Sequence, residues 1–192
     1  MDFDFTEEQL MIRDAARDFA QRELITDVIE RDTGAIYPTR HVQRMAELGF
    51  LGMLVDAKYD GGGMDTVSYV LAMEEISKVD SSASVIMSVN NSLVCYGLEA
   101  FGTEAQKEKY LKPLACGEKI GAFLLSEPNA GSDATSQKTT AVDMGDYYLV
   151  NGTKNWITNG NTAGTYLVIA QTHPEKMHKG MNCLIVAPYA PG

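Results

Sequence analysis

Near Lys119 the apolar residues of this chain stop recurring every three or four positions and begin to fall in short extended runs. An amphipathic helix repeats its apolar face about every 3.6 residues and a strand about every 2, so one segment cannot satisfy both. The chain is therefore expected to be α+β and multidomain. An all-α helical bundle is expected over residues 1–118, followed by an antiparallel, barrel-like β domain, begun but not finished, over 119–192. With 192 residues and 45% hydrophobic content there is enough apolar material for sizeable cores.

Helix punctuation dominates the first part. Thr6 and Gln9 form a capping box with Glu7 and Glu8 in the first turn, and Ile12, Ala16, Phe19, Ala20, Leu24 and Val28 follow. The spacing predicts one helix over residues 7–31. Pro38 can open a second helix with Val42, Met45 and Ala46 on one face, closed by Gly49 in a left-handed C-cap. The glycines of Tyr59-Asp60-Gly61-Gly62-Gly63 are expected to form a turn, because no Lys-Ser or Lys-Thr follows to complete a phosphate cradle.

Further helices are expected over residues 66–79, with Val70, Met73 and Ile76 inward, and 81–100, with Val85, Met87, Val89 and Val94 inward. The latter carries no charge before Glu99 and should be buried on most sides, in the bundle core or against an apolar ligand. Thr103 to Gln106 repeats the capping box and starts a helix with Tyr110 and Leu111 inward, its end marked by Pro113 and Gly117. Beyond it, strands are expected over 120–125, 139–142, 147–150, 155–158, 166–172 and 183–187. Asn151-Gly152 and Asn159-Gly160 supply turn signals between them.

Several function classes are disfavoured. Sixteen Lys and Arg against 26 Asp and Glu, a net charge of -10, argue against a nucleic-acid partner. Residues 1–8 are acidic and lack the basic and apolar regions of a secretory signal, and runs such as 50–55 fall far short of the ~20 residues of a membrane span. Cys95, Cys116 and Cys183 read as reduced thiols of a cytoplasmic protein, and with His41, His173 and His178 they make no metal pattern.

Two segments carry candidate chemistry. In Phe123 to Asp133 a strand runs into a turn rich in hydroxyls, where a glycine permits close approach of backbone to a ligand; the same residues also make plain turns. In Asn151 to Gly160 the only tryptophan, Trp156, precedes Thr158 by two positions, so on a strand both point to one face. A flat indole beside a hydroxyl suits a planar heteroaromatic ring, although a Trp covering a sheet core has the same signature.

Together these segments resemble the acyl-CoA dehydrogenase family, whose signatures read Ser/Thr-Glu-Pro-x-Ala-Gly-Ser/Thr-Asp and Asn-Gly-x-Lys-x-Trp/Phe-Ile-Thr-Asn. Residues 126–133 and 151–159 match both, in order. The resemblance extends to 101–107 and 58–62, hence to essentially the whole chain, and the short-chain, butyryl-CoA-type branch is most similar. Leu124 stands where the signature usually has a small residue, and Asn129 where many members have glycine.

The resemblance implies FAD as cofactor. Phe123, Leu125 and Ser126 would line the flavin, with the Ser126 hydroxyl on its pyrimidine side. Trp156 and Ile157 would pack against it and Thr158 would reach its N5 edge. Gly131 and Ser132 would meet the cofactor and the thioester or pantetheine end of the substrate. The implied reaction removes an α proton from a short-chain acyl-CoA and a hydride from its β carbon, giving a trans-2-enoyl-CoA, with electrons leaving to an electron-transferring flavoprotein. The family's catalytic glutamate and much of its tetramer interface come from a helical domain beyond Gly192. No catalytic residue is therefore expected in this chain, and Glu127 is read as a backbone-anchoring carboxylate. Two rivals stay open: an acyl-CoA oxidase on the same scaffold, and a non-catalytic flavin- or CoA-binding module.

Overall fold

The computed structural model describes residues 4–190; residues 1–3, the start of the acidic N-terminal stretch, and 191–192 lie outside the described residues. The chain divides into two compact units, Met1–Lys119 and Ile120–Gly192. Among the described residues no helix is long and apolar enough to cross a membrane.

The first unit is helical. Helix α1 (Glu7–Arg22) opens on the expected capping box: the Gln9 N–H donates to Thr6 Oγ1 at 3.2 Å and the Thr6 N–H to Gln9 Oε1 at 3.0 Å. It does not continue to residue 31. A short 3-10 turn (Leu24–Thr26) intervenes before α2 (Val28–Gly34). The break has a tertiary cause. Buried Arg31 donates to the Leu24 carbonyl at 3.1 Å, to Asp27 at 2.9 Å and to Asp80 at 2.6 Å, so Leu24 gives its carbonyl to a guanidinium where a continuous helix would give it to a backbone N–H.

Helix α3 (Thr39–Glu47) ends as expected at Gly49, φ 76°, with the Gly49 N–H on Ala46 O and the Phe50 N–H on Met45 O. The glycine turn at 61–63 is spent on packing. A Cβ on Gly61 would stand 2.2 Å from Val55 O, and the N–H groups of Gly62, Gly63 and Met64 donate to Gly52, Val55 and Met53. None of those three donors is turned outward to a phosphate.

Helix α4 spans Thr66–Ser77. Helix α5 (Ser81–Ser88) runs through a π-helical stretch, Val89–Cys95, into α6 (Tyr96–Phe101). Ile76, Met87 and Val94 are buried as expected, but Val70 and Val85 are exposed, as are Leu93 and Tyr96. The charge-poor stretch 81–101 is thus covered on one side only: lack of charge marks a face unsuited to water without supplying its cover. Its π-helical stretch points Asn90 and Asn91 inward, where their side-chain amides donate to the carbonyls of Leu51, Leu114, Phe50 and Met87. The second capping box, at Thr103 and Gln106, opens α7 (Glu104–Gln106), and a π-helical turn (Lys107–Leu111) leads into α8 (Lys112–Ala115). Pro113 lies inside α8, and Gly117, φ 76°, follows its end.

The second unit is built on one five-stranded sheet: β1 (Gly121–Leu124), β2 (Thr140–Asp143), β3 (Tyr148–Asn151), β4 (Thr165–Gln171) and β5 (Met181–Val186). It is not an antiparallel barrel. Strand β1 runs parallel to β4, with Gly121 paired to Thr165 and Leu124 to Val168, whereas β5 is antiparallel to β4, and the sheet stays open. Residues 125–164 form a long crossover that returns the chain to the side of β1 in the same direction, and alternation of apolar residues does not encode direction.

The Asn-Gly pairs turn no hairpin either. The β2–β3 hairpin closes at Met144 to Tyr147, with Gly145 at φ 93° and its N–H on Asp143 Oδ1. Gly152 is instead pressed against Thr139, and Asn159 donates its buried amide to Gly121 O at 2.9 Å. The expected strand over 155–158 does not form, because Trp156 adopts φ 61°, outside the extended region.

Candidate functional site

The crossover between β1 and β4 carries both segments singled out in the sequence. After Leu124 the chain folds into a tight turn in which Glu127 and Ala130 exchange backbone hydrogen bonds across Pro128-Asn129 at 3.0 and 3.1 Å. The Glu127 carboxylate is buried. It accepts the Lys138 N–H at 2.6 Å, the Thr139 N–H at 3.0 Å and the Lys154 ammonium at 2.8 Å. Burial by itself would raise this carboxyl, but the Lys138 N–H and the Lys154 ammonium outweigh it and hold the group at about 2. Such a carboxylate anchors backbone and is a poor proton acceptor.

Lys154 completes the arrangement from the second segment. Its ammonium reaches Glu127 Oε1 at 2.8 Å, Gln137 Oε1 at 2.8 Å and the Leu125 carbonyl at 3.0 Å, which occupies all three of its protons. One residue on, the Asn155 N–H donates to the Ser126 carbonyl at 2.9 Å. The two motifs are thus bound edge to edge by one backbone bond and one buried cation.

Trp156 stands at the crest of this junction with 93% of its surface exposed. A left-handed backbone on a non-glycine residue costs roughly 1–3 kcal/mol and persists where the surroundings impose it. The reading of Trp156 and Thr158 as neighbours on one strand face is overturned with the strand itself: the chain bends at Trp156 and residues 158–162 form turns, closed by the Gly160 N–H on Ile157 O and the Thr162 N–H on Asn159 O. The indole covers no sheet core.

Phe123, Leu125, Ser126, Ile157 and Thr158 are half-buried, and Gly131 and Ser132 are exposed. Among the described residues no partner engages the hydroxyls of Ser126, Ser132 or Thr158. Ser126 and Trp156 are brought together through the Asn155 contact; no hydrogen bond among the described residues joins Gly131 or Ser132 to the Trp156 turn. An open cleft of about 510 Å³ lies nearby, lined by Leu124, Val150, Tyr166, Val168 and the stems of Lys154 and Ile157. Leu124 and Phe123 point to opposite faces of β1, so the cleft lies on the side away from Phe123, and of the expected flavin residues only Ile157 lines it.

Sequence reasoning missed Lys154, Gln137 and Asn159 as the groups that shape the site. A signal existed for the first: Lys154 is the single cation within the second motif, between Asn151 and Asn159. Gln137 had none.

Profiles of two domains match the chain: "Acyl-CoA dehydrogenase, N-terminal domain" over residues 6–118 and "Acyl-CoA dehydrogenase, middle domain" over residues 122–192. The chain is 44% identical over 186 residues to a short-chain specific acyl-CoA dehydrogenase of Clostridium acetobutylicum, which covers 97% of this chain and 49% of that protein. It superimposes on a structure from a study of the electron transferring flavoprotein of Acidaminococcus fermentans with a TM-score of 0.97 and 46% identity, over 100% of this chain and 50% of the other. Against butyryl-CoA dehydrogenase from Megasphaera elsdenii the TM-score is 0.95 and the identity 42%, over 100% of this chain and 51% of that one. The chain spans about half the length of the curated relatives it matches. With a helical unit and a β unit that each match a domain of one family, the chain belongs to the acyl-CoA dehydrogenase family.

Proposed function

We propose that the protein containing these residues is an FAD-dependent dehydrogenase of short-chain acyl-CoA thioesters that passes its electrons to an electron-transferring flavoprotein. The observation that carries this reading is the Trp156 turn: an exposed indole on a left-handed backbone, tied to a loop that offers the unengaged Ser126 hydroxyl, with the Thr158 hydroxyl two residues on. These residues fit a flavin, which is planar and presents hydrogen-bonding edges. Gly131 adds an approach free of obstruction, since a Cβ there would meet nothing within 4 Å.

The chemistry that FAD supplies when bound is acceptance of a hydride from the substrate β carbon. In this reading the Ser126 hydroxyl would orient the flavin, the Trp156 and Ile157 side chains would pack on the ring and exclude water, and the Thr158 hydroxyl would hydrogen-bond its edge. Phe123 and Leu125 would line the ring, and Gly131 with Ser132 would meet the cofactor and the thioester end of the substrate. Glu127 is excluded as the base that removes the α proton, because its carboxylate is held near 2 by partners it cannot give up. The base is supplied from outside these residues, by the family's following helical domain, and the assembled enzyme is a homotetramer in the cytoplasm. The names of the short-chain, butyryl-CoA and electron-transferring relatives support the substrate and partner.

The complete protein tests this directly. Purified, it should be yellow, bleach anaerobically with butyryl-CoA and turn over fastest at or below hexanoyl-CoA. A maximum at longer chains would sink the short-chain assignment. Rapid reoxidation of the bleached protein by oxygen would favour an oxidase, and a chromophore that never bleaches would favour a binding module.

A further inference from the structure

Lys154 and Glu127 form an ion pair with side chains only 7% and 6% exposed, and the chemistry proposed above uses neither group. A buried ion pair is weak grounds for stability, since apolar replacements of similar volume often do as well, so its presence calls for another reason. Its partners suggest one. The Lys154 ammonium is held by Leu125 O at the end of β1, by Glu127 in the turn and by Gln137 before β2, while Glu127 takes the Lys138 and Thr139 N–H groups. One cation therefore fixes three stretches of the crossover relative to residue 154, two positions before Trp156.

The strain at Trp156 needs such a frame. Its indole, 93% exposed, has too few contacts to hold its own backbone left-handed. The constraint comes from each side of it: Lys154 and the Asn155 N–H before, the Gly160-to-Ile157 turn after. We propose that Lys154, locked by Glu127, is a positioning residue for the flavin, holding the Trp156 turn against the Ser126 loop so that the indole and the Ser126 hydroxyl meet the ring together. This rests on the flavin reading above.

The test uses the complete protein and its Lys154→Met and Lys154→Arg variants, with FAD affinity measured by quenching of flavin fluorescence well below each melting temperature. The wild type is expected to bind FAD, and Lys154→Met to bind it at least about tenfold more weakly with an altered flavin visible spectrum. Lys154→Arg guards against a variant that does not fold. It keeps the charge beside Glu127, but its planar fork cannot meet three divergent acceptors, so it should fold and still lose affinity. A purely structural role would lower the melting temperature and leave the affinity and spectrum of the folded protein unchanged. Either variant, folded, with wild-type affinity and spectrum would overturn the positioning role while the flavin reading stood. A wild type that binds no FAD would remove both.

Discussion

Lys154 Nζ stands 2.8 Å from Glu127 Oε1, and through this one contact the two sequence motifs of the chain become a single structural object. The ammonium has no proton left for a ligand and the carboxylate has no readiness to accept one. What the pair can do is hold backbone in place, and the measurable consequences begin there.

Acid should loosen this junction. The Glu127 carboxyl is held at about 2 in the folded chain against an ordinary 4.5, so its stabilisation is complete above 4.5 and is lost as pH falls through 4.5 toward 2. Buried Glu75, facing Arg17 and Lys78, is also held at about 2 and adds a loss in the same window. For Glu127 the linkage is on the order of 3 kcal/mol, at 1.36 kcal/mol per unit between 4.5 and about 2. Urea unfolding midpoints measured from pH 6 to pH 3 should fall for the wild type and fall less for Glu127→Gln.

Trp156 should be dispensable for folding. Because its side chain is almost wholly in solvent, Trp156→Ala should change stability by no more than about 0.5 kcal/mol. Trp156→Gly should raise it by up to about 1 kcal/mol, since glycine accepts the left-handed backbone without strain. Both should weaken FAD binding in the complete protein, and denaturant titration beside flavin quenching measures the two effects separately.

Trp156, the sole tryptophan of these 192 residues, is also a reporter in the complete protein once any tryptophan outside them is replaced. Acrylamide should quench Trp156 emission freely in the absence of FAD, and FAD should quench it further while shielding it from acrylamide. Unchanged acrylamide access at saturating FAD would contradict contact between indole and ring.

Arg31 should be costly to lose. Its guanidinium is buried against Asp27 and Asp80, so Arg31→Leu leaves Asp80 uncompensated in the interior, and a loss of about 3–5 kcal/mol is expected in chemical denaturation.

Two glycines with the same backbone separate strain from crowding. Gly49 and Gly117 both have φ 76°, but a Cβ at Gly49 meets nothing within 4 Å, whereas one at Gly117 would lie 2.2 Å from Ala46 Cβ. Gly49→Ala should cost about 1 kcal/mol, from strain alone. Gly117→Ala should cost distinctly more, and equal losses in thermal unfolding would count against the crowding.

The sequence was most legible where structure depends on neighbours within one turn. The capping boxes at Thr6 and Thr103 and the cap at Gly49 stand as read, because donor and acceptor lie three to five residues apart. The burial faces were half legible: spacing found Ile76, Met87 and Val94, but a Val on a helix looks the same in sequence whether this unit covers it or leaves it open, as at Val70 and Val85. At the site, the motifs identified the segments and the family. They did not disclose that the chain leaves the extended region at Trp156, since Trp-Ile-Thr has the local preference of a strand.

By itself, the sequence determined where helices give way to strands, how the helices at Thr6 and Thr103 are capped, which family the chain belongs to and which two segments are candidates for the site. Only the tertiary structure decided that β1 runs parallel to β4, that the first helix breaks near Leu24, and that Trp156 is lifted into solvent on a left-handed backbone. The physical reason is range. Arg31 and Asp80 are 49 positions apart and Lys154 and Glu127 are 27 apart; contacts of that kind exist only once the chain has folded, and because an unpaired buried charge is costly they fix backbone that local propensity leaves open.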